Sequence, residues 1–271
     1  MIILNAEGQT GNKFFTYLRY IGDSLETGEK LIVLSPDISI QHYPNFLKTK
    51  IIKFPFYFKS ISKIIGYQNN IKYLYYLFGN KYITRLLVIA FKVIPSVQFI
   101  VAPTGSNQSK NHFKHSAEIK KIFTPNLHVT QSVEAIFNEK RNTHQIICAV
   151  HLRFGDYKTF QGGKFYYKKQ QYHQKMLEVK AIFPNQKVAF FISSNEKIDF
   201  SIFSECDCFT IPKSNATKDL YGLSLSDYII GPPSTFSGWA SYYKNTPLYF
   251  IEDINHKIKI DSFYNIFDVW S

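Results

Sequence analysis

The stretch Ile146-Ile147-Cys148-Ala149-Val150-His151-Leu152-Arg153-Phe154-Gly155-Asp156-Tyr157 decides the fold class of this chain. It opens as an unbroken apolar run, which is typical of a strand buried on both faces of a parallel sheet. Polar side chains follow at its carboxyl end, where open α/β sheets bind their ligands. The stretch therefore predicts a central strand leading into a binding site. A core strand that ends in a solvated turn has the same pattern and stays an alternative.

The remainder of the second half alternates helix-like and strand-like segments. Residues 166–183 have apolar side chains at four-three-four spacing, which predicts an amphipathic helix. The apolar runs at 188–192 and 228–230 predict buried strands, and the second of them runs into a Pro-Pro pair that must end it. This alternation is typical of a nucleotide-binding α/β sheet.

The first half begins in the same way. Residues 2–5 predict a strand, residues 6–12 a glycine-bearing loop, and residues 13–25 a helix before a second strand at 31–34. A glycine loop that enters a helix presents backbone N–H groups to phosphate, although a plain β–α turn has the same glycines. We therefore expect an α/β protein with two Rossmann-like domains facing a cleft, residues 1–142 and 143–271.

Composition narrows the class of protein. Of the 271 residues, 45% are hydrophobic, which indicates a folded protein. The net charge of +12 indicates either an anionic partner or a general bias of the chain towards lysine. Three cysteines, Cys148, Cys206 and Cys208, provide no disulfide framework, and the short apolar start is not a signal peptide. These features predict a cytoplasmic protein.

The aromatic and basic segment 54–95 has two interpretations. Its aromatic side chains at helical spacing suit core packing, but they would also suit a face that rests on the inner surface of an anionic membrane. A non-catalytic nucleic-acid-binding protein would need a basic stripe with exposed stacking aromatics. Because lysines occur along the whole chain, we expect no nucleic-acid partner, and peripheral membrane contact stays open.

Three motifs of the chain resemble one family. Gly8-Gln9-Thr10-Gly11-Asn12-Lys13-Phe14-Phe15 resembles the G-x-x-G-N-Q-x-F stretch of the α-1,2-fucosyltransferases, glycosyltransferase family 11. Val150–Tyr157 resembles their H-x-R-R-G-D-Y motif, and Ser234-Thr235-Phe236-Ser237-Gly238-Trp239-Ala240 resembles their S-T-F-S-W-W-A motif. Weaker similarity fills the gaps, so the resemblance covers nearly the whole chain in the right order.

The resemblance implies a GT-B fold and an inverting glycosyltransferase that moves L-fucose from GDP-fucose to a hydroxyl of a glycan acceptor, in surface polysaccharide or oligosaccharide synthesis. It implies no metal and no cofactor beyond the donor substrate, and the sequence has no Asp-x-Asp metal motif. It also implies that the first domain lies on the acceptor side. A transferase of the same fold with a different nucleotide sugar stays an alternative.

A metal-free transferase must neutralise its departing diphosphate with protein groups. Arg153 suits this role, because a guanidinium is always charged and donates two parallel hydrogen bonds. We expect His151 to hydrogen-bond the donor near its ribose or phosphate, and Asp156 to pair with Arg153 and orient it. The acceptor hydroxyl needs a carboxylate base, for which Glu7 and Asp156 are both candidates.

The other donor-binding candidates lie in the glycine loop, after the strand at 188–192 and at a predicted helix start. They are Gly11, Asn12, Ser193, Ser194, Asn195, Ser234, Thr235, Phe236 and Ser237. Two positions depart from the family. Phe154 replaces its second arginine, a charge that Lys158 or Lys164 would have to supply, and Asn195 stands where an acid would suit the N–H groups of guanine.

Overall fold

The computed structural model describes residues 1–54, 65–91, 97–103, 105 and 107–266. The chain divides into two compact units, Met1–Asn126 and Leu127–Ser271. Each unit is built on its own parallel sheet, with helices in the connections between its strands.

The first unit contains a four-stranded parallel sheet in the order β3-β2-β1-β4. Its strands are β1 (Ile2–Ala6), β2 (Leu31–Val33), β3 (Ile52–Lys53) and β4 (Gln98–Ala102). Its helices are α1 (Thr10–Thr27), α2 (Pro44–Lys48), α3 (Tyr67–Gly79), α4 (Lys81–Phe91), α5 (Asn111–Lys114) and α6 (Ser116–Ile122).

An aromatic cluster anchors α1 in the first unit. Phe14 of α1 packs its ring 4.9 Å from Phe123 and 5.3 Å from Tyr43, measured between ring centroids. Tyr17, one turn further along, lies 5.5 Å from Phe46. These rings are almost completely buried, so they pack α1 against the segments of α2 and α6.

The second unit contains a five-stranded parallel sheet in the order β7-β6-β5-β8-β9. Its strands are β5 (Ile146–Leu152), β6 (Val188–Ser194), β7 (Asp207–Phe209), β8 (Tyr228–Gly231) and β9 (Leu248–Phe250). Its helices are α7 (Leu127–Arg141), α8 (Lys169–Ile182), α9 (Ala216–Leu225) and α10 (Thr235–Lys244).

The predicted central strand is the middle strand of this sheet. β5 pairs with β6 over its full length, from Ile146 opposite Val188 to Leu152 opposite Ser194, and with β8 on its other side. Cys148, Val150 and Leu152 enter the same buried cluster. Since side chains alternate along a strand, the other face of β5 carries His151.

The expected α/β class with Rossmann-like units is confirmed. The boundary differs from the expected division at residue 142. Helix α7 precedes β5 but belongs to the second unit, where Phe137 packs its ring 5.3 Å from Phe191 and 5.4 Å from Phe209. A solvated linker and the polar carboxyl end of such a helix have similar composition, which explains the difference.

The chain that follows β9 returns to the edge of the second sheet. Residues 260–262 form one 3-10 turn, and Tyr264 then pairs with Leu248 through two backbone hydrogen bonds of 2.9 and 3.1 Å. These bonds use the free edge of β9 and hold the segment extended. Residues 267–271 lie outside the described part of the chain. So do residues 55–64 and 92–95 of the aromatic and basic segment 54–95.

Within the described ranges, no helix is both long enough and apolar enough to cross a lipid bilayer.

Candidate functional site

The carboxyl end of β5 sorts its side chains to two sides. Leu152 and Phe154 are buried in the apolar cluster, where the Phe154 ring lies 6.0 Å from Tyr172. His151 and Arg153 alternate with them and therefore project from the opposite face. Gly155 then turns the chain with a φ of 47°, which only glycine adopts without strain.

Arg153 is held in position by its neighbours. Its Nη2 donates to Oδ2 of Asp156 at 2.6 Å, and its guanidinium carbon lies 4.9 Å from the centre of the Tyr157 ring. The side chain is 15% exposed, and its buried Nε has no hydrogen-bond partner among the described residues. The expected pairing with Asp156 is present, and the guanidinium keeps a donor for a further anion.

His151 is a buried, neutral imidazole. It is 3% exposed, its ring lies 5.2 Å from the Phe236 ring, and its Nδ1 has no hydrogen-bond partner within the described part of the chain. Burial, and secondarily the charge of Arg153, lower the pKa of His151 to about 3. A neutral imidazole can donate or accept one hydrogen bond to a ligand but supplies no charge at pH 7.

The amino terminus of α10 lies beside these two residues. Ser234 caps the helix, because its Oγ accepts from the backbone N–H of Phe236 at 3.2 Å. Tyr157, which underlies Arg153, donates through its hydroxyl to the Pro233 carbonyl at 2.7 Å. Ser237 donates to the Ser234 carbonyl, and Thr235 is the first helical residue. The structure thus brings the β5 turn and the Ser234–Ser237 motif together.

Gly231 permits the close approach of β8 to β5. A Cβ atom at this position would lie 2.7 Å from the His151 carbonyl oxygen and 3.0 Å from its Cβ.

Because both contacts are with rigid parts of a buried strand, we expect Gly231→Ala to lower the free energy of unfolding by about 2 kcal/mol and to displace His151. Urea unfolding measures this loss. Gly162→Ala is the control, because nothing lies within 4 Å of its added Cβ, although its φ of 69° makes a small loss expected there too. Equal losses in the two variants would contradict the prediction.

The end of β6 contacts an acid of α9, Asp219, which sequence reasoning missed. Ser193 lies opposite His151 in the β5–β6 register, and its Oγ donates to Oδ2 of Asp219 at 3.2 Å. Ser214 donates a short hydrogen bond to the other oxygen of Asp219. Burial raises the pKa of Asp219 to about 6, against the opposing effect of these two hydrogen bonds. A half-buried carboxylate thus lies at the same edge of the sheet as His151.

Ser194 and Asn195 are occupied in the turns of the site. The Ser194 Oγ accepts from the Glu196 backbone N–H at 3.1 Å, and the Asn195 Oδ1 accepts from the Phe154 N–H at 3.1 Å. Asn195 therefore fixes the turn after β5, and its Oδ1 is engaged by the backbone. A carboxylate, Asp219, contacts the β6 residue that lies opposite His151, through its hydrogen bond from Ser193.

The two family departures have local explanations. Phe154 lies in the core, so a longer cationic side chain there would have to leave the apolar cluster. Lys158 and Lys164, the expected replacements for the missing charge, are exposed, with their ammonium groups 5.8 Å from the Tyr166 ring and 5.0 Å from the Phe165 ring. They are close in sequence to Arg153 but are held over aromatic rings.

The glycine loop of the first unit leads directly into α1. Gly11 is buried and Asn12 half-buried, and both lie in the first turn of the helix. The N-cap residue Gln9 makes no side-chain hydrogen bond to this turn. The backbone N–H groups of a first turn and the helix dipole both favour an anion. The expected contact of Gly11 and Asn12 with donor phosphates stays a prediction.

A cavity of ≈ 1040 Å³ opens at the carboxyl ends of β1, β2 and β4 in the first unit. Glu7 lies on its lining as an exposed carboxylate. Lys13, also on the lining, is buried and donates to the Ser35 carbonyl at 2.8 Å. Burial lowers the pKa of Lys13 to about 8, although the nearby Asp37 carboxylate opposes this. Tyr76 and Arg85 of the α3–α4 hairpin also line the cavity.

Sequence reasoning missed Asp219 and the structural role of Tyr157. The signal for Asp219 was weak, because an acid in the first turn after the N-cap Asn215 is ordinary helix chemistry. Tyr157 was part of the quoted motif, but its contact with Pro233 joins segments 76 residues apart. Among the described residues, no three His, Cys, Asp or Glu side chains are grouped to hold a metal ion, and metal independence stays a prediction.

No protein-family model matches the chain, and no curated protein matches it. Solved structures do. POFUT1 in complex with GDP-fucose is 13% identical, with a TM-score of 0.62 over 92% of this chain and 97% of that chain. The fucosyltransferase NodZ from Bradyrhizobium is 15% identical, with a TM-score of 0.57 over 94% of this chain and 96% of that chain. NodZ alpha-1,6-fucosyltransferase soaked with GDP-fucose is 16% identical, with a TM-score of 0.53 over 92% and 94%. These similarities show a fold of the GT-B type.

Proposed function

We propose that the protein is an inverting glycosyltransferase that moves L-fucose from GDP-fucose to a hydroxyl group of a glycan acceptor and needs no metal. The α-1,2 linkage and a cytoplasmic role in polysaccharide or oligosaccharide synthesis are part of this proposal. The observation that carries it is the guanidinium of Arg153 beside the capped amino terminus of α10. The similarity in fold to structures with GDP-fucose adds support.

This site suits a diphosphate. Arg153 offers the buried Nε donor that no described residue uses, and Asp156 and Tyr157 hold its plane in position. The first turn of α10 adds backbone N–H groups and the positive end of a helix dipole. In the reaction, these groups stabilise the negative charge that develops on GDP when the bond from the sugar C1 to the phosphate oxygen breaks. His151 adds one neutral hydrogen bond to the donor.

Asp219 supports guanine as the donor base. The N1–H and the 2-amino group of guanine are neighbouring donors, and a carboxylate can accept from both. In the same site, a cytosine would place an acceptor against the carboxylate and would be repelled. Ser193, hydrogen-bonded to Asp219 and opposite His151, joins the proposed base site to the proposed phosphate site.

The acceptor is proposed to bind in the first unit, in the cavity lined by Glu7 and Arg85. Its hydroxyl oxygen attacks C1 of fucose on the face opposite to GDP, so that the new C1–O bond has inverted configuration. The hydroxyl proton passes to the Glu7 carboxylate. Asp156 is the weaker base candidate, because its Oδ2 already accepts from Arg153.

Calorimetric titration with GDP, UDP, CDP and dTDP, with and without EDTA, tests the donor. We expect selective GDP binding that EDTA does not change, followed by transfer from GDP-fucose in an acceptor screen. Selective binding of another nucleotide would instead support the alternative function, a transferase of the same fold that uses a different nucleotide sugar. No binding of any nucleotide would contradict both.

A further inference from the structure

The net charge of the chain is concentrated in one region. Residues 38–117 contain no Asp or Glu, whereas the rest of the chain has 21 Lys and Arg against 20 Asp and Glu. The basic residues of this region are Lys48, Lys50, Lys53, Lys59, Lys63, Lys72, Lys81, Arg85, Lys92, Lys110 and Lys114. A segment of this length with a positive net charge attracts anionic surfaces, although Lys114 is already paired with Glu26 at 2.7 Å.

Helix α4, within this region, has apolar side chains on two sides. Leu87 packs against the buried cluster of Ile3 and Leu74. Tyr82, Leu86 and Ile89 lie at i, i+4 and i+7, on one side of the helix, and are 66%, 67% and 65% exposed. One apolar stripe therefore attaches α4 to the first unit, and a second stripe faces solvent.

Helix α3, the other helix of the hairpin, also has exposed aromatic side chains. Leu74 and Phe78 are buried, but Tyr73 is 51% exposed and Tyr76 is 75% exposed. Lys72 of α3 and Arg85 of α4 are exposed on the same hairpin. We call the set of Tyr73, Tyr76, Tyr82, Leu86 and Ile89 the hairpin surface.

We propose that the hairpin surface docks the protein on an anionic phospholipid bilayer. Apolar side chains with flanking cations are the pattern by which peripheral helices lie in the membrane interface. The basic, acid-free region supplies electrostatic attraction to anionic headgroups. Leu86 and Ile89 favour a bilayer over a nucleic acid, because aliphatic side chains have no π face on which bases stack.

The proposal does not depend on fucosyl transfer, but it bears on the acceptor. Tyr76 and Arg85 belong to the docking hairpin and also line the cavity of the first unit. Docking would therefore bring the wall of the proposed acceptor cavity to the bilayer surface, where lipid-attached glycans are presented.

Sedimentation of the full chain with vesicles tests the docking. We expect binding to vesicles of about three parts phosphatidylcholine to one part phosphatidylglycerol, weak binding to pure phosphatidylcholine, and at least tenfold weaker binding when salt is raised from about 0.05 to 0.5 M. The double variant Leu86→Glu/Ile89→Glu should bind the anionic vesicles at least tenfold more weakly, with an unchanged GDP affinity and unfolding temperature.

The chain offers a matched control. Leu127 is 68% exposed and Ile260 is 52% exposed, and both lie in the second unit. Leu127→Glu/Ile260→Glu adds the same two charges and should bind vesicles within twofold of the wild type. Equal losses in the two double variants would show a general charge effect and overturn the proposal.

A second measurement guards against a misfolded variant. Leu86→Trp and Leu127→Trp each add an indole at an exposed leucine, and brominated lipids should quench only the one at position 86. Three results would overturn the proposal: no vesicle binding by the wild type, no quenching at position 86, or a dimer that only Leu86→Glu/Ile89→Glu dissociates. Binding of a single-stranded oligonucleotide in place of vesicles would also overturn it.

Discussion

Arg153→Ala is expected to lower kcat/KM for transfer from GDP-fucose by on the order of 10³-fold and to abolish measurable GDP binding. The guanidinium is the charged group that the β5 turn offers to a diphosphate, and removing one stabilising donor from such a site costs about 4 kcal/mol of transition-state stabilisation. Initial rates with GDP-fucose and calorimetry with GDP measure the two effects.

Two further variants separate charge from geometry. Arg153→Lys keeps the charge but loses the planar fork that Asp156 and Tyr157 hold, so it should recover GDP binding in part and turnover very little. Lys158→Ala removes a cation five residues away that lies over the Tyr166 ring, and it should keep nearly full activity. If Lys158→Ala were the more damaging variant, Arg153 would not be the residue that neutralises the diphosphate.

Asp219→Asn is expected to have opposite effects on binding and on stability. GDP affinity should fall on the order of 100-fold, because an amide oxygen would replace the carboxylate that we propose accepts from two donors of guanine. The free energy of unfolding at pH 7 should rise by about 2 kcal/mol, since burial makes the charged form of Asp219 costly in the folded protein.

The direction of this stability change follows from the linkage between proton binding and folding. The pKa of Asp219 is about 6 in the folded protein and about 3.9 in an unfolded chain, so the folded state keeps a proton longer as pH rises. Wild-type stability therefore falls between about pH 4 and pH 6 from this group, and the loss persists above pH 6. The gain in Asp219→Asn should be present at pH 7 and absent near pH 4, as measured by urea unfolding at both values.

The same titration predicts the pH dependence of GDP binding. The affinity for GDP should fall as pH drops through about 6, because protonated Asp219 would no longer accept from both guanine donors. In Asp219→Asn, this decrease in affinity at low pH should be absent. His151 does not produce it, since its pKa is about 3 and the imidazole stays neutral over this range. Asp199→Asn is the control, because it removes an exposed carboxylate that caps a 3-10 turn through Ser201. A wild-type profile that is flat from pH 5 to 7 would contradict the role of Asp219.

Local sequence predicted the strands and helices that carry the candidate site in the second unit. The apolar run 146–152 could hardly be anything other than a buried strand, and the pair Pro232-Pro233 had to end β8 and leave Ser234 to cap the next helix. The period of two along an extended chain puts His151 and Arg153 on the same side, opposite Leu152 and Phe154. The boundary of the units was less predictable, because the packing of α7 on Phe191 and Phe209 depends on residues more than 50 positions away.

The sequence by itself determined the parallel α/β class, the strand ends at which polar residues collect, and the pairing of Arg153 with Asp156 three residues later. Only the tertiary structure decided that Phe154 lies in the core, that Asn195 is occupied by a backbone N–H, and that Asp219 meets Ser193 across 26 residues. The reason is physical: strand and helix periodicity and turn chemistry act between neighbouring residues. Burial, pKa shifts and hydrogen bonds between loops depend on which distant segments the folded chain brings together.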